Sequence, residues 1–204
     1  MKIRRFAPPA IIPSIEKVMG RLGYNKKKTK VDDSIIQKIQ NEISSSINII
    51  HPIGNVLENK ITSKYDDFIV LESGLKLKSR KICNILKDVS SVSLMICTIG
   101  KEITEKTIDL TKREDFSTAV ILDAIGSEAV EALADYIEKT LSIEKSYLGL
   151  KPTMRYSPGY GDLKTDIHKE MLPLLEATSI GISFHQESYI LIPEKSISAF
   201  IGWH

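Results

Sequence analysis

IGISFHQESYILIPEKSISAFI, residues 180–201, sets the reading of the fold. Its apolar residues fall into three short groups: Ile180, Ile182 and Phe184; then Tyr189, Ile190, Leu191 and Ile192; then Ile197, Ala199 and Ile201. Groups of this kind predict two or three terminal strands, with Pro193-Glu194-Lys195-Ser196 as the turn between the last two. Working upstream, 165–176 predicts an amphipathic helix despite Pro173 near its end, and 142–154 reads as loop. The clearest helical pattern covers 117–141, where Leu122, Gly126, Ala129, Leu133, Ile137 and Leu141 make one apolar stripe. Alanine and glycine are dense there, so a neighbouring element can approach closely. Residues 90–100, SSVSLMICTIG, read as a buried strand leading into a loop and a charged helical stretch. Helical spacing returns at 79–89. Short strands and turns fit 48–80, and an amphipathic helix carrying Ile35, Ile36, Ile39 and Ile43 fits 33–46. Helices and strands come in groups rather than in βαβα alternation. The expected fold is α+β, a single domain with a mainly antiparallel twisted sheet and packed helices.

Composition narrows the function classes. The sequence has 204 residues, 42% hydrophobic and 26% charged, with 28 basic against 26 acidic side chains. A chain of this length buries roughly 70% of its unfolded surface and needs no disulfide or metal to hold a core. The net charge of +2 lacks the concentrated basic face of a nucleic-acid binder. The densest basic cluster, YNKKKTK at 24–30, reads as a solvated loop. Cys83 and Cys97 are too few and too far apart for a zinc knuckle or a CxxC pair, and read as two buried free thiols. The opening MKIRRFAPPAIIPS does not read as a signal peptide. The longest uncharged run, 43–57, is shorter than the roughly 18 apolar residues of a membrane span. A soluble, cytoplasmic protein that binds neither nucleic acid nor membrane is expected.

Several motifs are absent, among them GxGxxG, the Walker loop, HExxH and GxSxG. His51, His168, His185 and His204 are scattered, and no metal site is expected. The segment RYSPGYGD, 155–162, stands out. Arg155 offers a fork for a carboxylate, Gly159 and Gly161 leave the backbone open to close approach, and Tyr160 offers a flat face with a polar tip. The same residues also make a plain structural turn around Pro158-Gly159. Glu128, Glu131, Asp135 and Glu138 form a carboxylate line on the long helix. That line is either a solvated face or a place where one acid meets a cationic ligand.

Arg155-x-x-x-Gly159-Tyr160 matches the RxxxGY signature of the S-adenosylmethionine-binding activation domain of cobalamin-dependent methionine synthase. The context agrees. EAVEALADYI from Glu128 onward resembles that family's long Ala- and Glu-rich helix, and Pro193, Ser196, Ile197 and Ser198 resemble its terminal strand motif. The likeness covers 98–200, while 1–97, with Arg21-Leu22-Gly23-Tyr24, resembles stand-alone forms of the domain. One domain of that fold is therefore expected over 1–204, with the RxxxGY segment in its 98–204 part.

The resemblance implies that Arg155 engages the carboxylate of S-adenosylmethionine. The backbone around Ser157 and Gly159 would hydrogen-bond the ligand, Tyr160 would pack beside it, and Glu131 would be the ligand-contacting acid. It implies a reactivation subunit, supporting reductive methylation of cob(II)alamin in methionine biosynthesis with an electron from a flavodoxin-like or ferredoxin-like donor. The demand on the protein is positioning, with no catalytic side chain of its own. No DxHxxG-like segment is present, so cobalamin would be carried by a separate methionine synthase polypeptide. Where the family continues Pro-x-Cys-Pro after its GY, this sequence has Gly161-Asp162-Leu163-Lys164. The alternatives are a non-catalytic module that binds a corrinoid protein, or a reactivation subunit for another corrinoid methyltransferase.

Overall fold

A computed structural model describes residues 2–24 and 31–204. The basic cluster therefore lies, apart from Tyr24, outside the described residues. The chain opens with strand β1 (Ile3–Phe6) and helices α1 (Ile15–Arg21) and α2 (Asp33–Ser46). Strands β2 (Ile53–Lys64), β3 (Phe68–Leu71) and β4 (Lys76–Lys78) follow, then α3 (Arg80–Ile85) and β5 (Ser91–Thr98). Next come α4 (Glu102–Lys112), the long α5 (Phe116–Ser146) and α6 (His168–Leu174), the last entered through a 3-10 turn at Thr165–Ile167. A two-stranded pair, β6 (Ser183–Phe184) and β7 (Leu191–Ile192), precedes the final strand β8 (Ser196–Trp203).

The main sheet runs β4-β3-β2-β5-β8, with β1 added along β2, and every pairing is antiparallel. It is the α+β arrangement that grouped strands and helices predict. β5 explains why 90–100 reads as a continuous apolar run. Val92, Leu94 and Ile96 belong to one core cluster, with α3 and α6, while Met95 and Cys97 belong to the other, with α1, α2, α4 and α5. Successive strand residues point to opposite faces, and helices cover both, so alternation has no polar side to show. β8 behaves likewise: Phe200 joins the first cluster and Ala199, Ile201 and Trp203 the second. The one polar residue in the middle of β5, Ser93, accepts a hydrogen bond from the Trp203 indole nitrogen at 2.7 Å and donates to Glu58 at 2.6 Å.

Local chemistry sets the helix ends. Asp32 accepts from the Ser34 amide at 2.8 Å to start α2, and Asp115 accepts from the Thr118 amide at 3.1 Å to start α5. All six residues of the predicted α5 stripe are buried. Close approach follows at Gly126, where a Cβ would stand 3.2 Å from Ile103 of α4. Several details differ from expectation. α5 continues through 142–146, read as loop, because Arg4 of β1 pairs with Glu144, and Lys145 lies 3.0 Å from Glu58 of β2. The 165–176 helix is shorter, ending at Leu174 before Glu176 enters the left-handed region at φ 46°. Ala177–Ile180 is a 3-10 turn, so the first expected strand shrinks to Ser183–Phe184. β1 and α1 carry no signal in the proline-interrupted N-terminus that sequence patterning detects. Cys97 is buried, its thiol pushed up to about 12 by loss of solvation, but Cys83 is only half-buried. Among the described residues no helix is long and apolar enough to cross a membrane.

The outer edge of β8 positions the site. Residues 151–156 run antiparallel along it: Lys151 N–H donates to His204 O at 2.8 Å, Thr153 to Gly202 at 2.9 Å and Tyr156 to Phe200 at 3.0 Å. This irregular segment closes an edge that would otherwise expose unpaired backbone groups, and it delivers Arg155 against α5.

Candidate functional site

A cleft of about 520 Å³ opens where the 155–160 segment, α5 and the start of β8 meet, and it gathers Glu131, Arg155, Ser157 and Tyr160. Its lining extends from exposed Met154 and Ile190 to buried His168 and Ser198. The volume falls within the range of small-molecule sites.

Arg155 reaches α5 from the β8 edge. One terminal nitrogen donates to Glu131 Oε2 at 2.6 Å, and the other lies 3.3 Å from Asp135 Oδ1 and 3.6 Å from Glu138 Oε2. The carboxylate line on α5 is thus neither bare nor simply solvated. Each acid has a basic partner from elsewhere in the chain, since Lys17 also lies 3.1 Å from Asp135 and Arg21 lies 2.6 Å from Glu128. Burial pushes the Glu138 carboxyl above its usual range, and Arg155 opposes that shift.

The loop after Arg155 is the turn that its sequence predicts. Tyr160 N–H donates to Ser157 O at 3.3 Å, with Gly159 in the third position at φ 92°, where glycine is favoured. A second turn follows, closed by Leu163 N–H on Tyr160 O at 3.2 Å. The Tyr156 hydroxyl donates to Tyr160 O at 2.8 Å and would sit 2.6 Å from any Cβ at Gly161, so a side chain there would require the tyrosine to shift, and the φ of 57° also favours glycine. Gly159 does not line the cleft, and its N–H donates to Leu163 O at 2.7 Å. The Ser157 hydroxyl has no hydrogen-bond partner among the described residues, and Tyr160 is 68% exposed at the cleft.

Three residues of consequence escape sequence reasoning. His168 is buried between Tyr189 O, 2.6 Å from Nδ1, and the Ser198 hydroxyl, 2.7 Å from Nε2. A carbonyl only accepts, so Nδ1 carries the proton and Nε2 accepts from Ser198 when the ring is neutral. Burial lowers the pKa of this imidazole against the opposing hydrogen bond to Tyr189. Lys195, in the Pro193–Ser196 turn, is 6% exposed and donates to Asp123 at 2.6 Å and Ser127 at 3.1 Å. Asp162 accepts from the Ser79 hydroxyl and from the Arg80 amide at 2.7 Å, at the first turn of α3. The only advance signals were the PEKS turn, a lone histidine and the departure from the family pattern at Gly161-Asp162. The terminal motif has a structural role as well: Ser196 donates to Pro193 O at 2.6 Å and Ser198 holds His168.

Those donors and acceptors suit a zwitterionic ligand with a flat ring. Arg155 matches a carboxylate, Glu131 and Glu194 match cationic groups, and Tyr160 offers a stacking face. No protein-family model matches the sequence, and no curated protein matches it. Among solved structures, the chain is similar to the MetH reactivation domain, determined with AdoHcy bound. The TM-score is 0.72 at 13% identity, covering 99% of this chain and 78% of that one. The likeness is one of fold, and this chain has the fold of the MetH reactivation domain.

Proposed function

We propose that the chain binds S-adenosylmethionine in this cleft and serves as a reactivation subunit for a cobalamin-dependent methionine synthase carried on a separate polypeptide. The observation that supports it most is convergence. Four of the five site residues that the resemblance implies, Glu131, Arg155, Ser157 and Tyr160, line one cleft in a fold like that of an AdoHcy-bound domain. Bound there, the ligand would supply a methyl group already activated on sulfonium, and a flavodoxin-like or ferredoxin-like donor would supply the electron. What this chain contributes is orientation: Arg155 for the carboxylate, Glu131 for the cationic end, Tyr160 against the ring, and the Ser157 hydroxyl as a hydrogen-bonding group. Gly159 acts through the turn it permits rather than by direct contact.

Arg155 is already shared among three α5 carboxylates. A ligand carboxylate must therefore displace Asp135 and Glu138 from it. That pairing favours a second reading, a module of the same fold that docks on a corrinoid protein without using the methyl donor. A third reading, service to a different corrinoid methyltransferase, differs only in the partner. Adding the protein, S-adenosylmethionine and a reductant to an inactivated methionine synthase that lacks this domain separates the first two. Recovery of activity that depends on both the protein and the methyl donor is expected. Recovery without the donor, or none at all, contradicts the first reading.

A further inference from the structure

Asp162 stands where the resembling family has a different motif, and its carboxylate is fully engaged within the chain. Oδ2 accepts from Arg80 N–H at 2.7 Å, while Oδ1 accepts from the Ser79 hydroxyl and lies 3.4 Å from Lys81 N–H. Ser79, 3% exposed, accepts in turn from Ile82 N–H at 3.0 Å. Two side chains thus satisfy three amides that the first turn of a helix leaves without partners. One of the two belongs to a loop more than eighty positions away.

The loop is held at both ends. At one, Tyr156 pairs with Phe200 through two backbone bonds of 3.0 and 2.8 Å. At the other, Leu163 is buried in the α3–α6 core and Asp162 is fixed on α3. Between them, the Tyr156 hydroxyl grips Tyr160 O, so that the exposed Tyr160 ring is the part left projecting at the cleft.

We propose that Asp162 is a positioning residue of the ligand cleft: by capping α3 from the loop, it fixes the 157–163 segment so that Ser157 and Tyr160 are set before a ligand arrives. This rests on the reading of the cleft as an S-adenosylmethionine site. Order established beforehand raises affinity because less freedom is lost on binding.

The test uses AdoHcy as probe on the full chain, with calorimetry and amide hydrogen exchange on wild type, Asp162→Ala and Asp162→Asn. Asp162→Ala is expected to bind at least about fivefold more weakly. It should also lose protection at the Gly159 and Tyr160 amides in the ligand-free protein. Asp162→Asn, which keeps one acceptor oxygen, should fall between wild type and Ala in both readouts, and it carries the comparison if the alanine variant does not fold. Protection lost with affinity unchanged, or both unchanged, overturns the positioning role and leaves the cleft reading intact. Failure of wild type to bind AdoHcy overturns the cleft reading itself, and the proposal with it.

Discussion

At the scale of single residues, the site turns on competition for Arg155. Its side chain is 18% exposed and the carboxylates around it are 28% to 51% exposed, so the cluster is neither buried nor freely solvated. Pairs of this exposure are individually weak, which leaves Arg155 able to exchange an α5 acid for a ligand carboxylate. Glu131 is the partner held at the shortest distance, 2.6 Å, and it lines the cleft. Glu131→Gln is expected to weaken S-adenosylmethionine binding while moving the thermal midpoint by no more than a few degrees, about 1 kcal/mol or less. A midpoint lowered by many degrees would mark Glu131 as structural. Much of this was legible in the sequence, because RxxxGY marks a loop by its own turn chemistry. The partners of Arg155 were not, because Glu131, Asp135 and Glu138 meet it only through the fold. Spacing along α5 shows that they share a face but not what faces them.

Among elements, α5, α6 and β8 meet the 155–160 segment at the cleft, and two of the contacts that hold them in place can be tested. His168 of α6 bonds Ser198 of β8, and its imidazole pKa lies below the ordinary 6.5 because of burial. The unfolded chain therefore takes up this proton first as the pH falls. The His168 contribution is complete above about pH 6.5 and is lost progressively below it, toward the lowered native value. Urea denaturation at a series of pH values should show wild-type stability falling more steeply below pH 6.5 than that of His168→Gln; equal slopes would remove His168 from the account. α5 rests closely on the sheet at Gly54 of β2, where a Cβ would stand 2.8 Å from Ile137 and 3.0 Å from the Ile96 carbonyl oxygen. Gly54→Ala is expected to cost about 1–3 kcal/mol in a thermal or urea transition, as overpacking does. The α5 stripe and the β5 run were readable because each repeats one chemical signal over many residues. β1 has four residues and α1 has seven. Elements that short take their structure from partners, β2 for the first and α5 and α2 for the second, and local patterning cannot announce them.

For the whole molecule, an antiparallel sheet covered on both faces holds the two core clusters apart. Residues 151–156 finish its β8 edge and bring the loop of the cleft against the long helix. Grouped strands in the tail predicted this architecture correctly, and the likeness in fold to the MetH reactivation domain extends over 99% of the chain at 13% identity. Identity that low shows the fold and leaves the ligand open, and the proposed site rests first on Arg155. Isothermal titration of the purified protein with S-adenosylmethionine, run beside Arg155→Ala, addresses it most directly. Saturable binding is expected, weakened in the variant by more than about 1.5 kcal/mol as a charge-assisted pair is lost. No heat of binding at millimolar ligand, or equal affinity in both proteins, would contradict the assignment of this cleft.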